Sequence, residues 1–313
     1  MFNRIYIERR RIICYYANIK PKQVIFVRYE KFYLSETNKD IHLECMLYTP
    51  SESLPSLKVR PAVVVCPGGG YQLCSDREAD PIAMCYSAAG YHVFLLRYSI
   101  KEEAVYPNSL VDLCHAMKLI RDHEEEWGVD KDKIAVCGFS AGGHLAASLG
   151  VHFTEERIHK ASGCTRDEIK PNALILVYPV ISTSWLENTG NLARVIGDGD
   201  FESTYKDLNL HTCVNENTPQ SFLAHTFRDR SVPVTDSLKF ASALDNAKIP
   251  FELHVFPNGG HGMGLATELT PGGGEDKSFA EWMGLSVGWL DRLFKNPDEA
   301  AAEVLKANYS SRL

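Results

Sequence analysis

No stretch of this 313-residue chain reaches the roughly 18–20 apolar residues of a membrane span. Its opening, MFNRIYIERRRIICYYANIK, lacks the uninterrupted apolar run of about 7–15 residues that a signal peptide carries. A basic excess is missing too: 33 Lys and Arg against 40 Asp and Glu leave a formal net charge of −7. That balance gives no electrostatic footprint for a nucleic-acid backbone or an anionic lipid surface. Among the nine cysteines no C-x-x-C pair occurs, and several lie inside apolar runs, a pattern of reduced thiols that points to a cytoplasmic protein. There is no H-E-x-x-H segment and no paired cysteine set, and GDGDFE lacks the third glycine of a dinucleotide loop. The expectation is therefore no cofactor, no metal, no nucleic-acid partner and no membrane partner.

What is present is the composition of an ordinary globular protein, 45% hydrophobic, 10% aromatic and 23% charged. VIFVRYEKFYL and IHLECMLYT, separated by the polar turn SETNKD, read as an antiparallel hairpin. After the proline-punctuated loop PSESLPSLKVRP come AVVVC (62–66), HVFLL (92–96), IAVCG (134–138), ALILVY (173–178), SFLAH (221–225) and FELHVF (251–256). These short, nearly continuous apolar runs are the mark of strands covered on both faces. Between them lie helical patterns, among them READPIAMCYSAAG, a single helix over PNSLVDLCHAMKLIRDHEEEWG, AGGHLAASLG, TDSLKFASALDNA and EDKSFAEWMGLSVGWLDRLF. The alternation predicts an α/β fold, a mostly parallel sheet of about eight strands with helices on both faces. The expected organisation is an N-terminal extension over 1–22, one domain over 23–297 with a small cap inserted at about 179–219, and a tail over 298–313.

Within AVCGFSAGGHLAA, Ser140 stands at the centre of G-x-S-x-G. With glycine and serine each near 7% of residues, about one chain in ten of this length would hold such a pentapeptide by chance. Context carries more weight. A strand, a sharp turn and a helix, with small residues Ala141, Gly142 and Gly143 after the serine, are what a nucleophile elbow requires. A serine hydroxyl needs a base, and His261 lies in the glycine-rich loop after the last strand, whereas His254 sits inside that strand. The base needs a group to fix its tautomer. Asp229, after the preceding strand, is favoured over Asp236, whose place at the next helix start suits the bland job of complementing the helix dipole. The loop CPGGGY puts Gly68, Gly69, Gly70 and Tyr71 directly after AVVVC. The amides of Gly69, Gly70 and Ala141 are the candidates to hold a developing oxyanion.

Together, CPGGGY, SDREADPIA, WGVDKDKIAVCGFSAGGHLAASLG, YPVIS, HTFRDRSVPVTDS and FELHVFPNGGHGMGLA make the chain resemble the α/β-hydrolase esterases of the acetyl-xylan-esterase-like and feruloyl-esterase-like group, over roughly residues 24–295. The resemblance implies a metal-free serine hydrolase of short acyl esters, often acetyl groups on sugars, with Ser140, Asp229 and His261 as its catalytic residues. Pro67 stands where lipase-like relatives carry a histidine, and Phe227-Arg228 stand where smaller or acidic residues are expected beside Asp229.

The short cap suggests a site open to water and to bulky polar alcohols, so the partner expected is a small-molecule or oligosaccharide ester. Tyr71, Tyr178 and Trp185 are candidates to stack on a sugar ring, with core packing the competing role for each. Arg77 and Glu78 open a helix beside the glycine loop, where a supporting role and a solvated helix start are both open. A homo-oligomer is compatible with the sequence, and two alternatives stay open: a prolyl-oligopeptidase-like serine peptidase, and a catalytically silent hydrolase-fold binding protein.

Overall fold

In a computed structural model, described for residues 7–11, 27–49, 58–191, 195–197, 200–270 and 277–295, the strands form one sheet. They are β1 (Ile7–Arg11), β2 (Val27–Tyr33), β3 (His42–Tyr48), β4 (Arg60–Cys66), β5 (His92–Arg97), β6 (Val129–Phe139), β7 (Ala173–Val177), β8 (Ser221–Thr226) and β9 (Phe251–Phe256). The order is β1-β2-β3-β5-β4-β6-β7-β8-β9. The pairs β1–β2, β2–β3 and β3–β5 are antiparallel, and from β5 to β9 every pairing is parallel. Strands β2–β9 are the eight read from the sequence. The ninth, β1, comes from the segment read as an extension, and it pairs antiparallel with β2 at the edge of the sheet. The rest of that extension, residues 271–276 and the tail expected over 298–313 lie outside the described residues.

The continuous apolar strands are explained by burial on both faces. Along β4, Val63 and Val65 enter one core while Ala62, Val64 and Cys66 enter the other, as the two-residue side-chain period requires. The first core is closed by α1 (Asp80–Ala88), with Ile82 and Tyr86, and by a C-terminal helix, Glu281–Phe294, with Trp282, Trp289 and Leu290. The second is closed by α2 (Asn108–Asp122), α3 (Ala141–His152) and α4 (Thr235–Asn246), through Leu113, Met117, Leu145, Leu149, Phe240 and Leu244. This is the doubly covered sheet of an α/β hydrolase.

One helix differs from expectation. The pattern over 107–128 splits at His123 into α2 and a single turn, Glu124–Trp127, closed by Gly128 at φ 66°. The break turns Trp127 into the core, where it stacks on His123 at 4.5 Å and on Phe94 at 5.5 Å. The Trp127 amide still bonds the His123 carbonyl at 2.9 Å, and burial of the ring offsets both the irregular turn and an indole N–H left without a partner among the described residues.

His92, at the start of β5, is buried with both ring nitrogens committed. Nδ1 accepts from the Tyr48 amide at 3.2 Å, and Nε2–H donates to the Gly128 carbonyl at 3.2 Å. Only the neutral ring fits, and burial, with the charges of Arg60 and Arg28, pushes its pKa down to about 4. A histidine depressed from about 6.5 in the unfolded chain leaves stability intact above that value and removes it as pH falls from about 6.5 to about 4. Urea midpoints measured across that window are expected to fall for the native chain and to fall less steeply for His92→Gln. An unchanged slope in the variant would show that His92 is not a source of the acid sensitivity.

Candidate active site

Strand β6 ends at Phe139 and α3 begins at Ala141, so Ser140 alone makes the turn, at φ 52° and ψ −117°. A non-glycine residue in that conformation costs about 1–3 kcal/mol. Backbone bonds on every side hold it: Ser140 N donates to Val177 O at 3.1 Å, and Ser140 O accepts from His144 N at 3.0 Å and Val180 N at 3.1 Å. The turn can be this tight only because its neighbours lack side chains. A Cβ at Gly138 would stand 2.2 Å from Gly142 O, and one at Gly142 would stand 2.1 Å from Cys66 O.

The Ser140 hydroxyl lies 2.7 Å from His261 Nε2, and His261 Nδ1 lies 2.6 Å from Asp229 Oδ2. With a carboxylate facing Nδ1, the proton sits there, and Nε2 is left to accept from the serine. Asp229 is fixed in turn, since its Oδ1 accepts from the amides of Ser231 and Val232, both at 2.9 Å. Burial pushes this carboxyl up, but the bonds from His225 and His261, the His261 charge and the Val232 amide outweigh it. Its pKa is held well below the usual carboxylate range. The histidine loop is tied to β8 where Thr226 Oγ1 donates to Gly259 O at 3.1 Å.

The rival carboxylate is elsewhere. Asp236 is buried and accepts from Ile181 N at 2.8 Å, Ser182 N at 3.1 Å and Ser182 Oγ at 3.0 Å. Rather than decorating a helix start, it anchors the first residues of the segment that follows β7. Sequence position gave no sign of that, because the partners are some 55 residues away.

Beyond β4, Gly69, Gly70 and Tyr71 all take positive φ, at 131°, 64° and 57°. A Cβ at Gly69 would stand 2.1 Å from Leu73 O, so the loop needs glycine there. The amide of Ala141, first in its helix, has no carbonyl one turn earlier to bond. Gly68 donates its amide to Glu78 Oε2 at 2.8 Å. Glu78 is thus no solvated helix start but a buried carboxylate, only 2% exposed. Burial raises its pKa, against the opposing pull of Tyr178, the Gly68 amide, His261 and Arg77.

Two of the three aromatic candidates for sugar stacking are corrected. Tyr178 is fully buried, with its hydroxyl donating to Glu78 Oε1 at 2.8 Å and accepting from Gly264 N at 2.9 Å. Tyr71 is 5% exposed, its hydroxyl donating to His144 Nδ1 at 2.9 Å while His144 Nε2–H donates to Leu208 O at 3.1 Å. Neither offers an open ring face. Trp185 remains half-exposed beside the glycine loop, where a Cβ at Gly70 would meet its ring at 3.2 Å. His144 was not singled out from sequence, although its position four residues after Ser140 places it on the same face of the helix.

Among the described residues no group of three or more His, Cys, Asp or Glu side chains could hold a metal ion, and no helix is long and apolar enough to cross a membrane. The eight described cysteines are unpaired thiols.

If Asp229 sets the His261 tautomer, Asp229→Asn removes the charge and lets the imidazole present the wrong nitrogen to Ser140. The rate at which a fluorophosphonate labels Ser140 is expected to fall about 10⁴-fold. Labelling at the native rate would remove Asp229 from the site.

Comparison with known proteins gives the chain's family and its relatives in fold. The family model described as BD-FAE matches residues 46–244. An endo-1,4-beta-xylanase B of Butyrivibrio fibrisolvens is 32% identical over 228 residues, 72% of this chain and 34% of that protein. An acetylxylan esterase of Xylanibacter ruminicola is 28% identical over 217 residues, 66% of this chain and 42% of that one. The chain thus spans well under half the length of these two curated relatives. Among solved structures, the acetyl ester-xyloside bifunctional hydrolase of Caldicellulosiruptor lactoaceticus superposes with a TM-score of 0.68 at 33% identity, covering 80% of this chain and 88% of that one. A carboxylesterase of Lactobacillus plantarum superposes at 0.73 with 25% identity, covering 92% and 98%.

Proposed function

The chain belongs to the BD-FAE family, and from that premise we propose that it is a serine carboxylester hydrolase for short acyl esters, acting on acetyl groups of sugars or xylo-oligosaccharides. The observation that carries the reading is the continuous hydrogen-bond chain from Ser140 Oγ through His261 to Asp229, with links of 2.7 and 2.6 Å. That chain sits at the carboxyl end of a parallel sheet, where such folds place their chemistry. In the proposed cycle His261 Nε2 takes the Ser140 proton as Oγ attacks the ester carbonyl carbon. The carbonyl oxygen, now negative, is held by the amides of Gly69, Gly70 and Ala141. The imidazolium returns its proton to the departing alcohol, leaving an acyl-enzyme. A water molecule, deprotonated by His261, then releases the acid and restores Ser140.

Support for the acetyl-sugar preference comes from the relatives' names, acetylxylan esterase and acetyl ester-xyloside hydrolase. The half-exposed Trp185 indole beside the glycine loop suits contact with a sugar ring. The proposed partner is a soluble oligosaccharide ester, handled without cofactor or metal.

The test is hydrolysis of p-nitrophenyl esters from acetate to octanoate, followed by acetylated xylo-oligosaccharides, by the native chain and by Ser140→Ala. The expected result is fastest turnover of acetate, with loss of about 10⁶-fold in kcat in the variant. Preference for octanoate would replace the acetyl reading with a longer-chain one, and equal activity in Ser140→Ala would dismiss the serine mechanism.

A further inference from the structure

Two buried side chains outside the Ser140–His261–Asp229 chain join its loops. Glu78 accepts the Gly68 amide on Oε2 and the Tyr178 hydroxyl on Oε1, both at 2.8 Å. Tyr178 donates its one proton to Glu78 while its oxygen accepts the Gly264 amide at 2.9 Å. Both carboxyl oxygens thus serve as acceptors, an arrangement that favours the ionised form against the burial that opposes it. The carboxylate also lies close to the reacting groups. A Cβ on Gly68 would be 2.7 Å from Glu78 Oε2 and 2.9 Å from Ser140 Cβ, and a Cβ on Gly262 would be 3.9 Å from Glu78 Oε1. The Tyr178 ring meets the His261 imidazole edge to face, with centroids 5.1 Å apart.

We propose that Glu78 and Tyr178 form a positioning pair for His261, locking the glycine loop to the histidine loop and placing a second carboxylate where it stabilises the imidazolium. Asp229 holds the ring from its Nδ1 side in hydrogen-bond contact, whereas Glu78 acts through space and through the phenol. The kinetic part of the proposal rests on the ester-hydrolase reading, and the electrostatic part does not.

Among the described residues, the charged and titratable groups around this pair are few. His261 is faced by Asp229 from the loop after β8, with His225 behind it, by Tyr178 from the end of β7, and by Glu78 from the turn before α1. Glu78 is faced by His261, Tyr178 and Arg77, and by the buried and neutral Cys137 and Tyr98. Arg77 is held on Gly262 O at 3.0 Å. Removing the Glu78 charge thus takes away a stabilising anion and leaves Arg77 in place, so His261 must titrate at lower pH.

The experiment is an NMR titration of the His261 ring in the native chain, in Glu78→Gln and in Tyr178→Phe, alongside pH profiles of kcat and kcat/KM on p-nitrophenyl acetate. In Glu78→Gln the His261 midpoint and the acid limb of kcat/KM are expected to move down together by about 0.5–1 pH unit, with kcat reduced about tenfold or more and KM little changed. In Tyr178→Phe, which keeps the ring and the charge, kcat falls with a smaller shift. An unchanged His261 midpoint in Glu78→Gln overturns the proposal. A shifted midpoint in a protein whose native form hydrolyses no ester leaves the pair intact and removes the ester-hydrolase reading instead. If Glu78→Gln does not fold, Tyr178→Phe decides: a lower kcat at constant KM supports the pair, and native kcat overturns it.

Discussion

Everything at the site depends on one backbone conformation, that of Ser140 at φ 52°, ψ −117°. It projects the hydroxyl out of the sheet, and it requires β4, β6 and α3 to approach closer than any side chain would allow. The glycines at 138 and 142 meet that demand against the backbones of Gly142 and Cys66. The strain is local, while the restraint is spread over the six-stranded parallel part of the sheet. Relaxing the turn would break the bonds to Val177 and Val180 and shift α3, which is buried along its whole length. The cost of straightening one residue is thereby raised to that of repacking a helix.

From this fixed point the loops after β4, β8 and β9 converge, and a largely polar buried network joins them. Glu78, Tyr178, Asp229, His225 and His144 all have polar partners. In an interior of low effective dielectric such partners are obligatory, and the same low dielectric strengthens each bond once made. The result is a set of donors and acceptors held in place before any substrate arrives, which is the condition for electrostatic stabilisation of a developing charge.

The parallel sheet was legible because burial on both faces leaves continuous apolar runs, and the elbow was legible because its requirements are local: strand, glycine, serine, small residues. Asp229 and His261 followed from their places after successive strands. Other features depend on tertiary placement. Tyr178 at the end of β7 reads equally as a stacking platform or a core residue, and only the fold shows its hydroxyl turned inward to Glu78. Asp236 looks like any acid at a helix start until Ile181 and Ser182 are brought against it. The break at His123 is invisible to periodicity, since Trp127 keeps the helical spacing while the chain turns to bury it. The edge strand β1 pairs by backbone, which leaves little imprint on side-chain pattern.

The segment after β7 is anchored by the same rules. At its start Asp236 holds residues 181 and 182, and near its far end α3 holds the carbonyls of Asp207 and Leu208 through two histidines eight residues apart. The pKa values of those histidines are pushed in opposite directions because their partners differ. His144 faces a phenol that can donate and a carbonyl that must accept, so one proton suffices and burial pushes its pKa down to about 4. His152 faces the Glu155 carboxylate at 2.6 Å and the Asp207 carbonyl at 3.0 Å, two acceptors that favour the protonated ring, with the Arg157 guanidinium 3.3 Å from the same Nδ1. Burial opposes that charge, but Cys213 and Glu155 outweigh it and raise the pKa to about 9. Near neutral pH both grips are therefore closed, and both originate on the helix whose first residue follows Ser140. The nucleophile's turn and the anchored part of this segment are thus tied to one helix.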